Sequence, residues 1–269
     1  MKVLLLDGYN LIYRARHSRM NKGDHSIIFN FFRSIRPIIE KFNPDLCYFT
    51  LEGRPTQRLN VDPNYKGQRV YHNKDNFSEQ RREIIRLVKE YFPFTTIRHN
   101  DFECDDVIGH LASVTHKEDD VIIISSDTDF IQSINENTQV YSPVRKCFLE
   151  KTEYDYVAWK SLVGDKSDNI EGFLGIGNKK AQKLLSDDKL LEDFLLKENN
   201  KEKYDKNFFM VKFHDLNNRE EEFEKSKPSS CNWEGLKKEF INFKFNSIIG
   251  NYNSWKKYID TFSNLERNI

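Results

Sequence analysis

Apolar, β-branched runs in this chain end on carboxylates. VLLL stops at Asp7, and VIIISS leads into Asp127 and Asp129. LEGR, ECDD and GDKSDN add Glu52, Glu103, Asp105, Asp106, Asp165 and Asp168, so nine acids lie in short knots spread over more than half of the 269 residues. A strand that ends in acids sets them at one edge of a sheet, and in an open α/β sheet that edge is where ligands sit. Like charges at contact distance disfavour joint ionisation, so such a crowd needs cations to neutralise it. Hard oxygen donors select magnesium or manganese. The pattern predicts a multi-metal phosphoryl-transfer site. Two ions roughly 3.5–4 Å apart would activate a water and stabilise the leaving oxygen. No histidine base is needed, and the seven histidines follow no ligand spacing.

The knots differ in what they imply singly. Asp7 alone reads equally well as a helix cap. Glu103-x-Asp105-Asp106 could be a first helical turn satisfying the macrodipole, and Asp127-x-Asp129 could be an Asx-turn. Alternate residues leaving a strand can also face one ion together. Asp165 and Asp168, three apart, share one side of a helical turn. Five unrelated caps and turns are a poor account of all of them at once.

Periodicity places the knots. Lys2–Leu6, Leu46–Leu51, Phe94–Arg98 and Val121–Ser125 read as strands, with a weaker one at Val140–Ser142. Ile27–Phe42, Asn76–Tyr91 and Asp105–Thr115 read as helices. Their alternation predicts a twisted, mostly parallel sheet flanked by helices. Residues 53–76, broken by Gly, Pro and Asn, predict a long loop or partly helical excursion over the sheet edge. Beyond residue 150 the strand signal fades. Tyr154–Leu162 and the aromatic tail Trp233–Leu265 read as helical, Met210–His214 as a short strand, and Asn218–Lys227 as a solvated charge run. The expected division is 1–150, an α/β core, and 151–269, a helical module with an extension.

The total of 42 Lys+Arg against 42 Asp+Glu leaves no net charge, but the charges are segregated. Arg54 to Lys89 is rich in cations, including Arg58, Lys66, Arg69, Lys74 and Arg81. Nucleic-acid binding needs such a local basic surface rather than a basic total. Lys66 and Arg69, three apart in YKGQR, suit the scissile phosphate, where charge builds up. Gly175-Ile176-Gly177-Asn178-Lys179-Lys180 opens a helix whose N–H groups can hold a phosphate without reading bases. Four scattered cysteines with no CxxC pair fit reduced thiols and a cytoplasmic protein. The apolar start, ended by Asp7, is too short for a span or signal core.

These motifs, in this order, resemble the 5′ nuclease (flap endonuclease) family, which includes phage 5′–3′ exonucleases and the 5′ nuclease domain of DNA polymerase I. The likeness runs from LLLDGYNLIYRA through PNYKGQR, FECDDVIGHLA and ISSDTDF to LVGDKSDNIEGFLGIGNKKAQKLL. It implies a PIN-like core with a helical arch over about residues 53–90, then a helix-hairpin-helix type module. It implies metal-binding roles for Asp7, Glu103, Asp105, Asp127, Asp129, Asp165 and Asp168, with Asp106 beside them. Glu52 stands where the family usually has Asp. Lys66 and Arg69 match the catalytic arch cations. Tyr65, Gly175, Gly177, Lys179 and Lys180 are the expected DNA contacts, with potassium at the Gly-rich turn in some relatives. Tyr9 and Arg14 match the family's opening motif without an assigned role.

The expected activity is a magnesium-dependent structure-specific 5′ nuclease, with manganese as a substitute, acting as a monomer in replication and repair. Its substrates would be 5′ flaps, nicked or gapped duplex and duplex ends. In a phage-encoded protein the setting would be host cytoplasm, with replication proteins as partners. Removal of RNA primers from RNA–DNA hybrids is the alternative within the same chemistry. A silent junction-binding module would be expected to have lost the acids or arch cations, and a small-molecule phosphatase explains SSDTD alone.

Overall fold

A computed structural model describes residues 1–18, 23–69, 76–197 and 199–269. The strands are β1 (Lys2–Asp7), β2 (Leu46–Thr50), β3 (Thr95–Arg98), β4 (Asp120–Ile124), β5 (Thr138–Ser142), β6 (Cys147–Phe148), β7 (Gly164–Asp165), β8 (Ile170–Glu171) and β9 (Glu224–Ser226). Seven form one sheet in the order β6-β5-β4-β1-β2-β3-β9. The pairs among β5, β4, β1, β2 and β3 are parallel, and the two edge strands are antiparallel. Helices cover both faces, so the strands are apolar on both sides, as parallel sheets require. Val3, Leu5, Val121 and Ile123 point to one core, while Leu4, Leu6, Ile122 and Ile124 point to the other.

The helices are α1 (Gly8–Arg16), α2 (Ser26–Phe42), α3 (Thr56–Val61), α4 (Phe77–Tyr91), α5 (Cys104–His110), α6 (Tyr156–Val163), α7 (Asn178–Leu185), α8 (Asp188–Leu195), α9 (Asn200–Val211), α10 (Trp233–Asn242), α11 (Asn246–Ile249), α12 (Tyr252–Asp260) and α13 (Ser263–Glu266). The buried stripe of α2 includes Ile28, Phe31, Phe32, Ile35 and Ile39 at helical spacing. The helix ends where Asn43 takes a left-handed φ of 43°, one residue before Pro44. Phe77, Ile84, Leu87 and Val88 turn α4 onto the same core. Residues 70–75, including Lys74 of the expected arch, lie outside the described residues.

Past β6 the chain builds a smaller helical layer. Ala158 and Leu162 of α6, Ala181 of α7 and Tyr204 of α9 share one cluster. The ribbon β7–β8 carries Asp165. The tail α10–α13 packs back onto the core shared by α2 and α4, through Leu236, Phe240, Trp255, Phe262 and Leu265. Aromatic rings supply most of that joint. Phe92 stacks against Phe32 at 5.0 Å and meets Phe262 edge-on at 5.2 Å.

Three local expectations are corrected. Met210 and Val211 finish α9, and the expected strand at Met210–His214 is instead a loop tied down by Gln132 and Asp106. The charge run Asn218–Lys227 contains β9, whose residues Glu224–Ser226 pair with β3 and give Arg98 an acid partner at 2.8 Å. The helix expected through Thr115 is α-helical only to His110. It then widens into a π-turn at Leu111–Thr115.

Candidate metal centre and nucleic-acid cleft

The parallel strands deliver their acids to one edge. Asp7 ends β1 and caps α1, accepting from Asn10 N at 3.0 Å and from Ser125 Oγ at 2.7 Å. Glu52 follows β2 and accepts from Cys104 N at 3.3 Å. Glu103 caps α5, and Asp105 lies on its first turn. Asp127 follows β4 and turns the chain so that Asp129 N donates to its Oδ1 at 2.9 Å. Asp7, Glu103 and Asp127 are therefore helix caps and members of the acid cluster at once.

Crowding is visible in their ionisation. Burial, with Asp127 nearby, pushes Asp7 up to about 6. Burial and then Glu103 push Glu52 up to about 8. Asp105 is held well above the usual carboxylate range by burial, then by Asp7, Asp127 and Glu52. These three and Asp127 line one cleft with Lys66 and Arg69, and like charges so placed disfavour joint ionisation.

A second subsite lies beside it. Oxygens of Asp129, Asp165 and Asp168 lie within 4.8 Å of one another. Burial followed by Asp127 raises Asp129. Burial would raise Asp165 too, but hydrogen bonds from Lys160 and Ser167 outweigh it and hold it low. Lys160 reaches between the acids, bonding Asp129 and lying 2.6 Å from Asp165. Burial opposes the ammonium charge, yet Asp129 raises its pKa. A cation placed among these acids shows that the donor set suits positive charge. All the donors are hard oxygens, the set that magnesium or manganese prefers.

The YKGQR turn closes over the acids. Lys66 sits at φ 54°, bonds Glu103 and lies 3.5 Å from Asp168. Arg69 bonds Asp168 Oδ1 at 2.6 Å. Gln68 donates to the carbonyls of Lys166 and Ser167, and Asn169 to that of Asn64, each at 2.9 Å. The turn is thus stitched to the GDKSDN loop. Lys66, Arg69, Asp105, Asp127, Asp129 and Asp165 line a shared cleft of about 290 Å³.

Two expected site residues hold different positions. Asp106 is fully buried, and both its oxygens are taken. Oδ1 accepts from Arg58 and His214 N, and Oδ2 from Arg58 and Glu103 N, at 2.7–3.2 Å. It is a structural anchor with no lone pair left for a metal. Tyr65, expected against DNA, is only 5% exposed, and its hydroxyl lies 3.0 Å from both Glu103 and Asp168. It orients two acids. The Gly-rich turn matches its expectation in form. Gly175 sits at φ 73° and Gly177 precedes α7 with open space about it, while Lys179 and Lys180 are exposed.

Sequence reasoning missed two cations. Arg58 counted only as part of the basic stretch, yet its buried guanidinium joins α3 to Glu103, Asp106 and the carbonyls of Met210 and Lys212. Lys160 was not singled out. Its only signal is a basic residue on a mostly apolar helix five positions before Asp165.

Residues 2–161 match the family model of the 5'-3' exonuclease, N-terminal resolvase-like domain. A 5'-3' exonuclease of Mycoplasmopsis pulmonis is 30% identical over 207 residues, covering 71% of this chain and 68% of that protein. DNA polymerase I of Lactococcus lactis subsp. cremoris is 30% identical over 223 residues, and the match spans only 25% of the polymerase. Among solved structures, a bacteriophage T5 flap endonuclease in a pseudo-enzyme–product complex with DNA and metal ions superposes with a TM-score of 0.65. Its identity is 20%, covering 99% of this chain and all of that one. The catalytic core of Rad2 in complex with DNA substrate gives 0.55 at 15% identity, covering 99% and 92%. At these identities the two structures show a shared fold.

Proposed function

The chain belongs to the 5′–3′ exonuclease family, and from that premise we propose that it is a magnesium-dependent, structure-specific 5′ nuclease. It would hydrolyse DNA phosphodiesters near single-strand to double-strand junctions, as exonuclease on duplex ends and endonuclease on flaps, in replication and repair. The observation that carries this reading is the crowd of acids that lines adjoining clefts together with Lys66 and Arg69, three of them close enough to share one ion.

Asp7, Glu52, Asp105 and Asp127 would hold one divalent ion, with Glu103 beside them, and Asp129, Asp165 and Asp168 a second. Ions held there would supply Lewis-acid polarisation of the phosphodiester and a water acidic enough to lose its proton near neutral pH. The chain's own residues do the rest. Tyr65 and Ser167 fix the rotamers of Glu103, Asp168 and Asp165. Lys66 and Arg69, paired with acids here, are free to turn to the scissile phosphate once those acids are otherwise neutralised. The open N-terminus of α7 and Lys179 and Lys180 would grip the backbone of the adjoining duplex, with a potassium ion at the Gly175 turn.

The test is gel analysis of end-labelled flap, nicked-duplex and RNA–DNA hybrid substrates with and without magnesium. The proposal expects magnesium-dependent cleavage of the DNA flap, lost in Asp127→Asn while binding persists. Cleavage that survives a chelator, or full activity in Asp127→Asn, would overturn it. Cleavage confined to the hybrid would reassign the enzyme to primer removal.

A further inference from the structure

Trp159 lines the same cleft as the acids and is only partly buried. Its ring is held on three sides. The indole Nε1–H donates to Oδ1 of Asn178 at 2.9 Å, and Asn178 is the first residue of α7. Tyr154 and Tyr156 lean against it, with ring centroids 5.9 and 5.6 Å away at tilts of 43° and 40°. Tyr156 is itself held by its hydroxyl bonds to Thr128 and Asp129. An aromatic ring locked in one rotamer has little freedom left to lose when something settles on it. Lys160, the next residue, faces the second acid subsite. Trp159 therefore stands between the acids, where a phosphate would be cut, and the helix start that would hold the adjoining duplex.

On the nuclease reading above, we propose that Trp159 is a stacking platform for one nucleobase of the substrate, next to the scissile phosphate on its α7 side. The cleft already has Lys66, Arg69 and Lys160 for phosphate charge. A π-face adds nothing for an anion but suits a base, and stacking tolerates any sequence because every base has such a face. An enzyme that recognises a junction rather than a sequence needs a contact of this kind. It makes Trp159 a substrate-positioning residue and gives the site a way to sense whether a base is present beside the bond it cuts.

The plainer role for Trp159 is to dock α6 on α7, and the experiment must separate the two. Binding of a labelled 5′-flap DNA is measured by fluorescence anisotropy in the Asp127→Asn background with magnesium. Each nucleotide flanking the junction is replaced in turn by an abasic residue, with Trp159 or with Trp159→Leu. The expected result is that Trp159→Leu weakens binding about 10-fold. One abasic position should weaken the Trp159 protein by a similar factor and the Trp159→Leu protein hardly at all. Indole emission gives a second readout. Trp255 is buried and Trp233 packs against the core, so quenching on DNA addition should report Trp159 and vanish in Trp159→Phe. Losses that simply multiply at every abasic position, or quenching unchanged by Trp159→Phe, would overturn the stacking role while leaving the nuclease reading standing. Failure of the parent protein to bind any of these DNAs would overturn both.

Discussion

Replacing Glu52 by Gln should stabilise the metal-free protein, by an amount that grows with pH. Burial and the Glu103 charge raise Glu52 from its ordinary 4.5 to about 8 in the folded state. A carboxyl with a raised folded pKa binds its proton more tightly folded than unfolded. Its presence is therefore harmless below the unfolded value and costs stability as pH climbs toward the folded one. At 1.36 kcal/mol per pH decade, the cost is about 1 kcal/mol at pH 5 and about 3 kcal/mol at pH 7. Gln keeps an oxygen for the Cys104 N–H and removes the charge. It also relaxes Asp7 and Asp105, which feel Glu52 or share its subsite. For a chain of this size about 2–4 °C accompanies each kcal/mol. The gap in Tm between Glu52→Gln and the parent should therefore widen by roughly 5–10 °C from pH 5 to pH 7, read by thermal melts in a chelator. If Glu52 is a ligand as proposed, saturating magnesium should close or reverse it, because the same charge would then meet an ion. A gap independent of pH, or a variant less stable than the parent at pH 7, would refute the crowding argument.

Other tests follow from the same geometry. Arg58→Ala should cost about 3–5 kcal/mol in chemical denaturation, because it strands the buried Asp106 and Glu103 without their cation; a loss under 1 kcal/mol would deny that pair its anchoring role. Magnesium at about 100 times its Kd should add about 2.7 kcal/mol to the stability of the parent protein. Asp105→Asn should blunt that gain, and a magnesium-induced Tm rise equal to the parent's would remove Asp105 from the ligand set. Lys66→Ala and Arg69→Ala should each lower the single-turnover cleavage rate by about 10²–10³ if they meet developing charge on the phosphate, and an unchanged single-turnover rate would contradict it. Gly53→Ala should destabilise the fold strongly, since an added Cβ would lie 1.9 Å from the carbonyl oxygen of His99; melting at the parent's temperature would show that the segment after Glu52 shifts freely.

The strands and their terminal acids were legible in the amino-acid order because both are local. An apolar run buried on two faces identifies its own strand, and an acid just past its end lands on the carboxyl edge whatever the rest does. Asp7, Asp127 and Asp129 followed in this way, as did α2 with its end at Phe42. Glu52 and Glu103, which follow shorter or less regular strands, also fell at that edge. What tertiary structure decided was partnership. Asp105 and Asp106 are neighbours on one helical turn, yet one faces the shared subsite and the other is consumed by Arg58, 48 residues away. Tyr65 turned inward because its hydroxyl bridges acids 38 and 103 residues distant. The run Glu224–Ser226, solvated in its own composition, became an edge strand only because β3 offered an unpaired side. A side chain's chemistry is written at its own position, but which charge meets which is fixed by distances that exist only after the chain has closed on itself.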